Sequence, residues 1–295
     1  MQKSKRNHWV PRSYLKQFAA DPKRREKIWR FGKTSGDPEL KPIEKVAVKF
    51  YLYATQNDNG KRDYAFEERL SSIEQWFGTP GWQQLCNDFV SLEHAAVRKM
   101  VSLLTAVMYL RNPAQLEKTK NIHQQIVNIF AKLPVLPETI ESKGRVFKIE
   151  PGDWEAFRNA GESEVKRYWI DTIGSATSLA EKLMTMRWSV VFAKTPVFIT
   201  TDHPVVFTQP SLAFHGLSHA DATVYFPMSP TRLLVMDNRR GEPDGCYYPI
   251  KESPGAFNSV LWLEALEYMF SSRDPNVVCA EMDAAARSMH SDHNG

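Results

Sequence analysis

Hydrophobic positions along the 295-residue chain follow three successive rhythms. In the first sixty residues they form short runs. Residues 28–31 read as a strand closed by the turn-prone stretch 32–38, and residues 46–53 are rich in β-formers and end in a second turn at 56–60. The period then lengthens. Phe66, Leu70, Ile73 and Phe77 are spaced four, three and four apart, the stripe of an amphipathic helix, with Gly78 as its stop. Ser91 is placed to cap a long, largely apolar helix reaching Arg111. Asn112-Pro113 breaks that helix, because proline disfavours a helical residue before it. Pro113 then opens the next helix with Asn112 as its cap. This helix carries Leu116, Ile122, Ile126, Ile129 and Phe130 and fades at Leu133-Pro134. Residues 153–186 read as one or two further helices, interrupted near Gly161 or Gly174. From Arg187 short β-branched and aromatic runs return at 188–193, 197–200, 205–207, 223–226 and 232–236. Helical spacing resumes at 258–268 and 275–287.

Helices and strands are segregated rather than alternating, which predicts an α+β fold. The expected order is short N-terminal strands, a helical middle, then a mostly antiparallel sheet with terminal helices. No linker or repeat divides the chain, so one domain over 1–295 is expected. Within it lie a basic β-element (1–60), a helical region (64–186), a strand-rich region (187–240) and terminal helices (255–287).

Composition narrows the class. Hydrophobic residues are 42% and charged residues 24%, which excludes disordered and collagen-like chains. Three cysteines, far apart and without a Cys-x-x-Cys pair, support neither a disulfide framework nor a cysteine zinc site. They fit a reducing cytoplasm. Residues 1–6 are basic, but 7–12 form no apolar signal core. The longest uncharged apolar run, 100–110, is too short for a membrane span, so no membrane partner is expected. Net charge is +4, unevenly spread: eleven Lys or Arg stand between Met1 and Lys33 against Asp21 and Glu26 alone. That asymmetry points to nucleic acid or another polyanion at the N-terminal segment, or else to a solvated basic surface.

The segment Asn7-His8-Trp9-Val10-Pro11-Arg12-Ser13-Tyr14-Leu15-Lys16-Gln17-Phe18 resembles the His-Tyr-Val-Pro-x-x-Tyr-Leu-x-x-Phe opening of the bacterial domain-of-unknown-function family 4238. Ile28-Trp29-Arg30-Phe31 is similar to that family's second segment. Glu67-x-x-Leu70-x-x-x-Glu74 resembles its acidic helix, and Leu110-Arg111-Asn112-Pro113 its Arg-x-Pro helix end. Phe198-Ile199-Thr200-Thr201-Asp202-His203-Pro204-Val205 and Phe226-Pro227-Met228-Ser229-Pro230 are similar to two later elements. Trp9 stands where the family has Tyr, and His203 where it has Asn. The resemblance implies a bacterial, cytoplasmic, uncharacterised protein, and no settled biochemistry comes with it.

Within these motifs a few polar residues carry candidate chemistry. His8, Arg12 and Tyr14 surround Pro11, which stiffens the segment. His8 is a candidate general base, and Arg12 and Tyr14 candidate substrate-binding groups. The structural alternative is that His8 and Tyr14 satisfy buried backbone groups while Trp9, Leu15 and Phe18 staple the terminus to the core. Asp202, at the end of a buried strand, is a candidate catalytic carboxylate; it also suits bonding the backbone of a proline-bearing turn. Glu67 and Glu74 share a helix face two turns apart, with Glu74 the catalytic candidate and a solvated face the alternative. Arg111 complements a helix C-terminus, pairs inward with Glu74 or Asp202, or binds an anionic ligand.

Other patterns fail on context. Gly216-Leu217-Ser218-His219-Ala220 mimics a nucleophile elbow, but a strand rather than a helix is expected after it. His215 and His219 lack a metalloprotease motif, and His290 and His293 belong to a fraying end. No phosphate-binding glycine loop and no familiar nuclease core is present; the cofactor is left open, with no residue assigned to a metal although Glu67 with Glu74, or residues 200–204, are of a type that holds one. The expected function is a hydrolase acting on nucleic acid or another phosphate-bearing substrate. The alternatives are a nucleic-acid-binding protein without catalysis, with Trp9, Tyr14 or Trp29 as stacking surfaces, and a protein-interaction module.

Overall fold

A computed structural model describes residues 6–56, 62–142, 144–209, 216–251 and 253–291, with the backbone alone at 142 and 289–291. The turn expected at 56–60 lies largely outside these residues, as do His215, His293 and the side chain of His290.

The chain opens with β1 (Arg6–His8), which turns at Pro11 into α1 (Arg12–Leu15). A hairpin follows, β2 (Lys27–Gly32) with β3 (Pro38–Pro42), as the pattern predicts for 28–31. The strand expected over 46–53 shrinks to β4 (Val48–Phe50), antiparallel to β1 with Arg6 opposite Phe50 and His8 opposite Val48. Its ends are set by the backbone: Ala47 and Tyr51 take φ of +47° and +54°, a left-handed conformation that no strand residue adopts. A short pair, β5 (Thr55–Gln56) and β6 (Arg62–Asp63), leads to the helices.

Helix α2 (Ala65–Glu74) tightens into a 3₁₀ turn at Gln75–Gly78 and buries Leu70 and Phe77, two members of the predicted stripe. Thr79 caps α3 (Pro80–Asn87). Helix α4 (Ala95–Leu110) begins three residues later than a Ser91 cap would place it, and no side chain caps it. Leu92 is buried and its carbonyl accepts from Arg98 Nε at 2.9 Å, which holds the preceding residues out of the helix. Asn112 caps α5 (Pro113–Phe130) as expected, its Oδ1 accepting from Ala114 N–H at 3.0 Å. A hairpin the pattern does not show, β7 (Thr139–Ser142) with β8 (Arg145–Lys148), precedes three helices. These are α6 (Pro151–Arg158), α7 (Glu162–Gly174) and α8 (Ala176–Thr185), so both glycine breaks are used.

Strands β9 (Arg187–Phe192), β10 (Thr200–Thr201), β11 (Val206–Thr208), β12 (Thr223–Ser229), β13 (Arg232–Asp237) and β14 (Cys246–Pro249) follow. One sheet has the order β11-β12-β13-β9-β14, antiparallel except for β14 beside β9. The strand expected at 197–200 is reduced to β10. Val197 and Phe198 N–H both donate to Pro230 O, and Ile199 N–H donates to Asn258 Oδ1, so a fixed loop replaces a ladder. Helix α9 (Pro254–Leu263) stops short of the expected 268. Tyr268 instead opens β15 (Tyr268–Ser271), which pairs with β2 and β10 in a second sheet, β10-β15-β2-β3. Helix α10 (Pro275–Ser291) closes the described chain.

These elements establish an α+β fold with N-terminal and C-terminal segments in one sheet. The larger buried cluster centres on Tyr14, Phe77, Trp82, Trp169, Trp188 and Phe226. A smaller one joins Phe198, Ile199, Leu261, Met269 and Val278. Among the described residues no helix is long and apolar enough to cross a membrane.

Candidate functional site

Four of the six candidate residues line one open cleft of about 970 Å³: His8, Arg12, Glu74 and Arg111. β1 and α1 supply the first two, α2 the third, and the residue after α4 the fourth. Asn7, Lys16, Tyr53 and Glu67 complete the walls that matter chemically.

Arg111 is 2% exposed and forms the floor. Its Nη1 donates to Glu74 Oε1 and its Nη2 to the His8 carbonyl, both at 2.6 Å. Its Nε donates to the Tyr53 hydroxyl at 3.1 Å, and that hydroxyl donates back to the Arg111 carbonyl at 3.0 Å. The guanidinium thus pairs inward with Glu74 and does more than complement the α4 dipole. It bolts β1 and α2 to the end of α4, and it commits Glu74 to an ion pair. Charge-assisted bonds of this kind are the strong ones, and here they are sheltered from water.

His8 Nε2 faces the Glu44 carbonyl at 3.1 Å, so Nε2 carries the proton and Nδ1 keeps its lone pair. Partial burial pushes the imidazole pKa down to about 4, against the Glu44 bond and helped by Arg12, Arg6 and Arg111. At neutral pH His8 is uncharged. Glu67 moves the other way: burial raises its carboxyl above the usual range, with Asn7 opposing and Glu74 adding. Asn7 is 4% exposed, and neither its Oδ1 nor its Nδ2 completes a hydrogen bond. Its amide is near enough to favour the ionised Glu67 without meeting it in hydrogen-bonding geometry. Buried amides are nearly always paired, so this orphan on the cleft wall is a notable exception. Arg12 and Lys16 are exposed, and no ion pair or hydrogen bond engages either side chain within the described structure.

Asp202 and Tyr14 lie elsewhere. Asp202 is 2% exposed; its Oδ1 accepts from Leu266 N–H and its Oδ2 from Glu267 and Tyr268 N–H, at 2.9–3.0 Å. Its carbonyl accepts from Trp9 Nε1 and Asn112 Nδ2 at 2.8 and 2.7 Å. The residue bonds backbone, as the turn reading has it, but in a segment more than sixty residues away. Burial raises its pKa to about 6 while those three N–H groups hold it down. Tyr14 is fully buried, its hydroxyl donating to Pro227 O at 2.6 Å and lying 2.8 Å from Thr200 Oγ1, with the ring stacked on Phe226. The assignments of Asp202 to catalysis and Tyr14 to substrate are thus corrected by geometry: neither reaches the cleft, and both have every polar atom engaged. His203 is also buried away from the cleft, its Nδ1 facing Glu264 O at 3.1 Å while its Nε2 meets no partner.

A second cleft of about 980 Å³ lies between α8 and the β13–β14 connection, lined by Lys182, Arg187, Arg239 and Asp244 among others. Its innermost guanidinium, Arg187, is already paired with Asp237, and no candidate residue lines it. The elbow-like segment at 216–220 is a turn followed by β12, not a strand-to-helix junction. Among the described residues no group of three or more His, Cys, Asp or Glu side chains is placed to hold a metal ion.

One contributor to the cleft, Asn7, escapes the sequence reading, and a second, Glu67, is paired there with Glu74 but not chosen as the candidate. Asn7 adjoins His8 in the N-terminal motif, but nothing in the motif shows that its amide is buried without a partner. Glu67 has the same helix spacing as Glu74, and only burial distinguishes the two.

No curated protein and no solved structure matches the chain. The family described as "Protein of unknown function (DUF4238)" matches residues 6–275. That span includes the His8 motif, the Glu67–Glu74 helix face and the Asp202 element, and the chain belongs to this family.

Proposed function

We propose that the cleft is the site of a hydrolase acting on a phosphate-bearing substrate, with nucleic acid the foremost candidate. One observation carries the reading: an uncharged His8 with an open Nδ1 shares a cleft with a carboxyl of raised pKa, Glu67, and with two unengaged cations, Arg12 and Lys16. Arg12 and Lys16 hold the anion, Arg12 by its planar fork. His8 Nδ1 accepts a proton from the attacking water, and Glu67 passes one to the leaving oxygen. Glu74 is a positioning residue that acts through Arg111.

A second reading, nucleic-acid binding without turnover, is favoured by the low basicity of His8, since an imidazole with pKa near 4 is a weak base at neutral pH. The test is incubation of the protein with labelled single- and double-stranded DNA and RNA, and with p-nitrophenyl phosphate, with divalent metal added or chelated. Turnover that disappears in His8→Ala supports the hydrolase. Salt-sensitive retention without turnover, lost in Arg12→Ala, supports the binder. The absence of both turnover and retention overturns the assignment of a phosphate-bearing ligand.

A further inference from the structure

The rim of the cleft continues outward in two neighbouring rings flanked by cations. Arg6, which lines the cleft, lies opposite Phe50 in the β1–β4 register, with its Cζ 6.0 Å from the Phe50 ring centroid. Phe50 and Tyr51 are 6.4 Å apart between centroids, and Arg62 Cζ sits 3.8 Å over the Tyr51 ring. Phe50 is 63% exposed, an apolar ring left in water next to a polar cleft. Tyr51 is held with φ at +54°, a conformation that a bulky residue adopts only when its surroundings enforce it. The enforcement is visible: Lys166 Nζ donates to the carbonyls of Tyr51 and Ala54, each at 2.7 Å. A strained backbone fixed by a half-buried lysine thus sets the exposed Phe50 ring beside the half-buried Tyr51 ring between two guanidinium groups.

Resting on the reading of the cleft as a phosphate site, we infer that the row Arg6–Phe50–Tyr51–Arg62 is a track for single-stranded nucleic acid that leads into it. Rings give a sequence-tolerant stacking surface for unpaired bases, and the arginines at either end meet the phosphates that flank them. A duplex has no free base faces to offer, so the track discriminates strandedness. The aromatic residues favoured by sequence do not serve. Tyr14 is buried, Trp9 is half-buried with its indole N–H given to Asp202, and Trp29 is half-buried between β15 and β3.

The test is fluorescence anisotropy with end-labelled oligothymidylate and oligouridylate of about 12 nucleotides, and with a duplex of the same length. Wild type, Phe50→Ala, Phe50→Trp and Arg12→Ala are compared. The expected result is tighter binding of single strands than of duplex, weakened about tenfold in Phe50→Ala. Phe50→Trp binds like wild type, and its indole emission is quenched by the bound strand. The two homopolymers tell DNA from RNA. Equal binding of strand and duplex, or single-strand binding unchanged in Phe50→Ala, overturns the track. If that binding is still lost in Arg12→Ala, the cleft reading stands without it. Binding of no oligonucleotide also overturns the track, and turnover of p-nitrophenyl phosphate then decides the cleft separately.

Discussion

Arg111, His8 and Asp202 show how single charges shape this molecule. Removing the Arg111 side chain leaves the Glu74 carboxylate, the Tyr53 hydroxyl and the His8 carbonyl without their donor. Breaking a buried pair from one side is strongly destabilising. Arg111→Met is therefore expected to lower the unfolding free energy by about 3 kcal/mol, the lower part of that range because Glu74 keeps some contact with water. Arg111→Lys does not restore it, since one ammonium cannot span three acceptors placed for a planar fork. Urea unfolding measures both; a Lys variant as stable as wild type would contradict the argument. His8 and Asp202 act oppositely on acid stability. The His8 pKa falls from 6.5 to about 4 on folding, so between those values the unfolded chain binds the extra proton and stability rises with pH. The Asp202 pKa rises from 3.8 to about 6, so over nearly the same window the folded chain binds the extra proton and stability falls with pH. The two slopes oppose each other in the wild type. In His8→Gln only the second remains, so the stability lead of wild type over the variant should grow from about pH 4 to 6.5 and then level off. Urea midpoints across that range check it, and a lead that shrinks with rising pH would mean that His8 is charged in the folded protein.

Among the elements, the α9–α10 contact is the tightest test of packing. A Cβ built on Gly255 would lie 2.2 Å from the Glu281 carbonyl oxygen and 2.9 Å from Met282 N, so the obstacle is backbone and cannot turn aside. Gly255→Ala should separate the helices and cost about 2–3 kcal/mol, seen as a lowered Tm. The same region shows where local patterning ends. Phe66, Leu70, Ile73 and Phe77 announce α2, and Asn112-Pro113 announces the α4–α5 junction, because periodicity and capping are properties of adjacent residues. Tyr268–Ser271 carries no such signal. It continues the helical spacing of α9 and becomes a strand because β2, more than two hundred residues earlier, offers it a ladder with Tyr268 opposite Gly32. Asp202 then locks that choice by accepting from the N–H groups of residues 266–268. The site divides in the same way. His8 and Arg12 stand out within one short motif, whereas their convergence with Glu67, Glu74 and Arg111 depends on a non-local ion pair. The burial of Asp202 and Tyr14 depends on partners that no spacing reveals.

For the whole molecule, the distribution of cations matters more than the net charge of +4. Much of the basic N-terminal segment is spent internally. Arg30 pairs with Glu39, Lys33 donates to the carbonyls of Leu263 and Ala265, Arg24 stands near Asp21, and Arg25 Nε donates to Pro22 O. Arg12 and Lys16 are left at the cleft. If these two meet phosphates, each contact releases condensed counterions, and the logarithm of the binding constant falls with the logarithm of salt by about 0.7 per contact for a single strand. A slope of about −1.4 is then expected for the cleft alone, steeper if Arg6 or Arg62 also engages. Arg12→Ala should flatten the slope by about 0.7, whereas Lys23→Ala, exposed and outside the cleft, should leave it unchanged. Anisotropy titrations at several salt concentrations give all three slopes. Equal flattening by both substitutions would mean that the strand responds to the general charge of this face, and the convergence of Arg12 and Lys16 would then have no bearing on binding.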